Sequence, residues 1–380
     1  VMMFPAVTAA FGGAAPPYSE YWFLSRFENG GGGGLEHAAS ARIDDVPSHD
    51  TPAARQRFLG VMAHELVHAW NVKRIRPSSL GPFDYHREAD TRDLWFLEGV
   101  TSYIAELALV RAELSTPEAL FETVAAALEA YEATPARRFM GPEESGQTAW
   151  YRSDEGASGR TNYYNVGFLL GLALDLVLQG AGGLDAMLAR LYSAFDGSGA
   201  PYPEGGLRAA AVSTGGPRLN GFFEQHVLGT QRPPIDELLM VVGLTRETKP
   251  GRRVAWLGLT AATDGEAVVK LVDDDSPASV LGCQPGDVVL AIGGHRVTGA
   301  SLDAVVRRRR PGDSVEVTWF RGPTLMRGVA KLGERVVPGA PETPEGRRTR
   351  TRIAPAQSAA PEAVEKRRRW FRVPAPSQAE

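Results

Sequence analysis

An α+β chain, with a mainly helical first unit followed by a small β-rich one, is predicted by three observations. Apolar positions between Pro52 and about Gly243 recur largely at helical spacing. Beyond Pro250 the texture changes to short Val/Ile/Leu-rich runs separated by Gly, Asp and Pro. The length of 380 residues exceeds what one ordinary core organises, so two folded units are expected.

Residues 1–50 carry aromatic and β-type residues, such as Tyr18 to Phe27, interrupted by the glycine run Gly30 to Gly34, and read as strands and a loop. From Pro52 to about Asn71, Phe58, Val61, Met62, Leu66, Val67 and Trp70 follow a helical period, with Thr51-Pro52 as the start signal. Further helices are expected from about Asp93 to Glu113, near Pro117 to Ala133 and from Asn162 to Gln179. Strands are expected over Ala267 to Val272, Val288 to Ile292 and Val315 to Phe320. The resulting division is a catalytic unit over 1–245, a second unit over 250–335, and a disordered basic, proline-rich tail over 339–380.

Composition narrows the function. With 41 basic against 45 acidic residues the net charge is only -4, which gives no electrostatic footprint for nucleic acid. The single cysteine, Cys283, cannot close an intrachain disulfide, so the compartment stays open. No apolar run reads as long enough to span a bilayer, and Val1 to Pro5 lacks a basic flank and a long apolar stretch. A soluble protein, cytoplasmic or periplasmic, is the expectation.

The chemistry points to His64-Glu65-Leu66-Val67-His68. Residues four apart on a helix are offset by only about 40° and about 6 Å, so both imidazoles can meet one metal ion. Glu65, beside them, can take a proton from a water that the metal acidifies and return it to a leaving amine. A hydrolytic zinc site needs a third protein ligand. Glu98 is the candidate, because it lies in the apolar segment Leu94 to Tyr103, where an unpaired carboxylate would be costly. Ser102, one turn beyond Glu98, could orient an imidazole. His49, His86, His226 and His295 show no metal-type spacing and read as ordinary surface or structural residues.

The strings HELVHAWNVKRIRP (64–77), GPFDY (81–85) and LWFLEGVTSY (94–103) resemble the M61 glycyl aminopeptidase-type peptidases, related to the wider gluzincin group. The resemblance implies a thermolysin-like catalytic domain with one zinc ion on His64, His68 and Glu98, and Glu65 as general base. It also implies a β-rich domain ahead of the catalytic one, of which little is visible here. The segment Gly33-Gly34-Leu35-Glu36-His37 is similar to the family's amino-terminus-binding strand, which would place Gly33, Gly34 and Glu36 against the substrate. Tyr163-Tyr164-Asn165-Val166-Gly167 is similar to the family's tyrosine-rich segment, with Val166 where lysine is expected; Tyr164 would be the oxyanion donor and Tyr163 the runner-up.

Ser276 to Ser279 and Pro285 to Gly294 resemble the core of bacterial PDZ domains, with Trp256-Leu257-Gly258-Leu259 in the place of the carboxylate-binding loop. Such a module would take a C-terminal peptide or protein ligand by strand addition. The combined expectation is a zinc aminopeptidase acting on peptides with a free N-terminus, favouring Gly or Ala. An endopeptidase using the same site, or a PDZ adaptor with a degenerate peptidase domain, remains open.

Overall fold

The computed structural model describes residues 2–372 except 14, 30–31, 47, 83, 85, 152–159, 196–199, 250 and 339–349. The chain opens not on a strand but on a helix, α1 (Met3–Ala10), which corrects the strands-and-loop expectation for this segment. Its apolar side is buried, and Phe11 just after it stacks on Trp70 at 5.2 Å between ring centroids. Three strands follow: β1 (Trp22–Phe27), β2 (Gly33–Glu36) and β3 (Ser40–Asp45). β3 is central, parallel to β1 and antiparallel to β2, so β2 is an edge strand.

Helix α2 (Pro52–Val67) starts as its signals require: Thr51 accepts from the Ala54 N–H at 3.1 Å and Pro52 occupies the first turn. A π-helical turn, Trp95–Val100, runs directly into α3 (Thr101–Arg111), and α4 (Pro117–Glu132) follows with Thr116 as its cap. The helix Tyr163–Leu178 lies at the centre of the unit, buried from Val166 to Leu176. With its extension to Ala181 it is long and apolar enough to cross a membrane by length and composition, contrary to the expectation that no such run exists; most of it is buried in the protein. The apolar sequence here serves a core. Trp70, Trp95, Phe96, Tyr103 and Tyr202 are among its largest fully buried side chains.

A second, separate core holds Ala255, Val269, Val289, Val317, Trp319 and Leu332. Around it lie a sheet of strand order β11-β10-β8-β7-β6, a pair β5–β12, and a helix over Gly299–Arg307. Those strands are β5 (Gly251–Trp256), β6 (Leu259–Ala261), β7 (Ala267–Val272), β8 (Val288–Ile292), β10 (Ser314–Arg321), β11 (Thr324–Lys331) and β12 (Gly333–Pro338), with the short β9 (His295–Arg296) pairing β8.

The expected disordered tail is corrected over its described part. Strand β13 (Thr351–Pro355) pairs antiparallel with β4 (Leu244–Thr248), and a helix spans Pro361–Trp370. Trp370 is buried against the helical unit, its indole N–H donating to the Tyr103 hydroxyl at 2.9 Å and to Asp175 Oδ2 at 3.0 Å. The chain thus returns from the second core to the first, and the helical unit does not end at residue 245. Its basic residues masked this: Arg368 and Arg369 are exposed, Lys366 and Arg367 are half-buried with Arg367 Nη1 donating to the Gly243 carbonyl at 3.0 Å, and Trp370 anchors the helix. Residues 339–349 and 373–380 lie outside the described residues.

Candidate metal centre

Helix α2 carries His64 in its last turn, and His68 follows at its end. Their Nε2 atoms stand 3.0 Å apart, and Glu98 Oε2 lies 3.2 Å from the first and 3.5 Å from the second. What makes this triangle unusual is where the protons are. His68 Nδ1 faces the Asn71 carbonyl oxygen at 2.7 Å, an acceptor, so in the neutral ring the proton belongs on Nδ1. Ser102 Oγ donates to the Glu98 carbonyl at 2.9 Å and therefore accepts from His64 Nδ1 at 3.2 Å. Both Nε2 atoms are then bare, and the carboxylate between them is acceptor-only.

Three lone-pair atoms in mutual contact repel unless a cation stands among them. Donors about 2.0 to 2.2 Å from a tetrahedral zinc lie roughly 3.4 Å from one another, so the observed spacing fits such an ion with one direction left over. Without it, charge has to be supplied by a proton. Burial works against a charged His68, but the hydrogen bond and charge of Glu98 push it up to about 9, while burial lowers His64. Burial opposes the Glu98 charge, yet hydrogen bonds from His64 and His68 hold it well below the usual carboxylate range.

Glu98 reaches this position from the π-helical turn. Two contacts fix that turn. Gly99 faces Gly167 so closely that a Cβ on either would strike backbone of the other segment, which brings the tyrosine pair beside Glu98. Asn71, fully buried, donates to the Phe96 carbonyl at 3.1 Å and the Thr101 hydroxyl at 2.9 Å, one residue beyond each end of the Leu97–Val100 stretch. Sequence reasoning overlooked Asn71 and the glycine pair. A polar residue three positions beyond the second histidine, within a buried apolar stretch, was the available signal for the first.

Glu65 is buried, and its Oε2 has no hydrogen-bond partner. Burial first, then the charges of Glu36 and Glu98, against the opposing pull of His68 and Lys73, raise it to about 7. Edge strand β2 backs onto it: a Cβ at Gly34 would overlap the Glu65 carboxylate. Glu36 brings a carboxylate oxygen within 4.8 Å of ligand atoms of Glu65 and His68, and pairs with Lys73 Nζ at 3.1 Å. Gly33 and Gly34 line the same cleft, of about 1010 Å³, as His64, Glu65, Ser102 and Tyr164. Tyr164 is 41% exposed, its ring 6.2 Å from that of His64 and stacked on Tyr163 at 5.0 Å. Burial and then the Glu98 charge keep its hydroxyl protonated.

The remaining candidates lie elsewhere. Leu257 is buried, Gly258 has φ of 84° with Ser276 packed where a Cβ would stand, and Leu259 opens β6, an edge of the larger sheet. The Gly258 carbonyl accepts from the Asp273 N–H at 2.9 Å and the Ser276 hydroxyl at 3.2 Å. His226, read as an ordinary surface or structural residue, is buried, with Nδ1 on the Gln231 carbonyl at 3.0 Å, while His49 pairs with Asp45 at 3.1 Å.

Residues 57–170 match the model of the M61 glycyl aminopeptidase family. The fold superposes with a TM-score of 0.80 on the crystal structure of an aminopeptidase N family protein from Idiomarina loihiensis, at 22% identity, over 97% of this chain and 65% of that one. The chain therefore spans slightly less than two thirds of that protein, and the likeness is one of fold. A serine endoprotease from Yersinia pestis matches 22% of this chain and 30% of its own at 26% identity, with a TM-score of 0.19, which carries no statement about fold. No curated protein matches the chain.

Proposed function

Taking residues 57–170 as an M61-type peptidase segment, we propose that the chain is a zinc aminopeptidase that hydrolyses the first peptide bond of substrates with a free N-terminus. The observation that carries this is the meeting of His64 Nε2, His68 Nε2 and Glu98 Oε2 within 3.5 Å of one another, beside the buried and unpartnered carboxylate oxygen of Glu65. A zinc ion held by that triad supplies Lewis-acid polarisation of the scissile carbonyl and lowers the pKa of water.

The chain's own groups do the rest. Glu65 takes the proton of the attacking water and passes it to the departing amine, and its rise toward neutrality suits it to both transfers. The Tyr164 hydroxyl, kept protonated, donates to the oxygen on which negative charge develops. Gly33 and Gly34, on an edge strand, let the substrate backbone approach closely, and Glu36 receives its ammonium group. Preference for N-terminal Gly or Ala rests on the family resemblance. The second unit serves as a PDZ-type module in which a peptide adds to the β6 edge near Leu257, Gly258 and Leu259.

A second reading has one observation in its favour. Lys73 already pairs with Glu36, so an ammonium group must displace it, whereas an endopeptidase would leave the pair intact. Hydrolysis of glycyl and alanyl anilides, with and without chelator and set against N-acetylated peptides, separates these outcomes. Chelator-sensitive release from free amino ends alone is expected; cutting of acetylated peptides would establish the endopeptidase, and no chelator-sensitive turnover of either would end both.

A further inference from the structure

A second cavity, of about 470 Å³, shares no lining residue with the metal cleft. Its size is that of a small-molecule site. Its walls differ in chemistry. Trp95, Leu207, Phe223 and Leu228 form an apolar side, with Trp95 and Phe223 meeting edge to face at 6.1 Å between ring centroids. Asp90, Asp93, Glu143 and Glu204 bring carboxyl groups to the rest, against the guanidiniums of Arg92 and Arg208. Arg208 is spent on Asn220 and Glu224, outside the lining, and Arg92 reaches only Glu143, at 3.7 Å. Burial raises Asp93 to about 6, and burial followed by the Asp93 charge raises Glu143, so the negative charge here is not fully compensated.

An independent sign comes from the apolar side. Trp95 is fully buried, yet its indole Nε1 has no acceptor. The Trp95 carbonyl faces Gly167 on the central helix, which contributes nothing to the cavity, so the indole is the part of Trp95 turned toward it. A buried N–H without an acceptor is costly, and an incoming oxygen atom relieves that cost.

Donor spacing narrows the ligand. Among the described residues, the carboxylates of this cavity form no set of three oxygens within 4.8 Å of one another, which argues against a bare metal ion. A larger organic cation suits them. Its oxygen has to be a neutral carbonyl, because a ligand carboxylate would meet the acidic wall.

We infer that this cavity binds the amino end of a peptide: the α-ammonium on Asp93 and Glu143, the neighbouring carbonyl oxygen on the Trp95 indole N–H, and an apolar first side chain against Leu207 and Phe223. The assignment holds whether or not the metal cleft cuts peptides.

The test titrates leucinamide calorimetrically onto zinc-loaded Glu65→Gln protein, in which turnover is suppressed. Adding Asp93→Asn should weaken a binding event by about tenfold or more, and Trp95→Phe by about three- to tenfold. N-acetyl-leucinamide, which lacks the ammonium, should bind at least about tenfold more weakly. Leucine should also bind more weakly; equal binding of leucine would overturn the peptide in favour of a free amino acid. Glu36→Gln, which alters only the metal cleft, should leave this event in place. If leucinamide binding is abolished by Glu36→Gln and untouched by Asp93→Asn and Trp95→Phe, the inference is overturned while the peptidase reading stands. Circular dichroism establishes that each variant is folded. A readout free of cavity substitutions is hydrogen exchange of the Glu65→Gln protein: leucinamide should slow exchange over Pro142–Gln147 and around Trp95, and no slowing there overturns the inference.

Discussion

The two cores bury polar groups in different ways. In the second unit, buried Ser276 caps its helix by accepting from the Ser279 N–H at 3.0 Å and donates to Gly258, while buried Asp287 is gripped twice by Arg321, at 2.8 and 2.9 Å, and by the Gln284 N–H. Those groups complete one another. In the helical unit, Glu65 Oε2 and Asn71 Oδ1 lack partners, and His64 Nε2, His68 Nε2 and Glu98 Oε2 crowd within 3.5 Å of one another. Burial without satisfaction is expensive, so the first arrangement describes a scaffold and the second a site that a bound species completes.

The largest effect that would break this contrast is catalytic. Glu65→Gln keeps shape and hydrogen-bonding capacity but cannot take a proton, so kcat/KM on a glycyl anilide should fall on the order of 10³-fold with zinc content unchanged. A fall of less than about tenfold would place the proton transfer elsewhere. Next comes the metal. Zinc in hundredfold excess over its dissociation constant should stabilise the helical unit by about 2.7 kcal/mol, raising its Tm by roughly 5 to 10 °C. Hydrogen exchange should show the protection in α2 and the Trp95–Arg111 segment and leave β7 to β11 unchanged. Protection spread evenly over both units would remove the distinction between site and scaffold.

Asn71→Ala sharpens the comparison further. It leaves the Phe96 carbonyl and Thr101 hydroxyl without their donor in a buried place, at a cost of about 1 to 3 kcal/mol. Because the same residue steadies the turn that presents Glu98, zinc affinity should drop roughly tenfold as well, read by competition with a chelating dye. Stability lost with zinc affinity intact would reduce Asn71 to a packing role.

How much of this was legible in the sequence depended on whether the signal was local. His64, Glu65 and His68 declare themselves through helical spacing, and Glu98 through the oddity of a carboxylate among Trp95, Phe96 and Leu97. The π-helical turn gives no such sign, because its cause is the close approach of Gly99 to Gly167, two residues 68 positions apart. The same holds for the C-terminal segment. Arg367 to Arg369 set its average character as disordered, whereas Trp370 and the β4 partner strand decide its structure through contacts that composition does not encode. Helix α1 was missed for a related reason: eight residues that are almost all apolar, Met3, Phe4, Pro5, Val7 and three alanines, carry little period, and packing against the helical core selects the conformation.

The smallest effect concerns a group away from the triad. Asp93 lines a separate cavity of about 470 Å³ with Glu143 and Glu204, and accepts from the Tyr202 hydroxyl at 3.0 Å. Burial raises its carboxyl from 3.8 to about 6, the Tyr202 hydrogen bond and Arg92 opposing and Glu204 adding. The sign follows from proton binding. Below about pH 4 folded and unfolded chains both hold the proton; between about 4 and 6 the unfolded chain has released it while the native protein keeps it, so stability falls as pH rises through that window. One proton limits the slope to about 1.4 kcal/mol per pH unit. Glu143 is raised in the same direction, again by burial first, so the contribution of Asp93 has to be isolated by difference. Denaturant titrations of wild type and Asp93→Asn at pH 4.5, 5.5 and 6.5 (all inside or just above the ~4 to 6 window) should show a flatter dependence in the variant. Parallel curves would mean that Asp93 ionises as freely in the folded protein as in the unfolded chain, and that the acidic cavity carries no penalty for its charge.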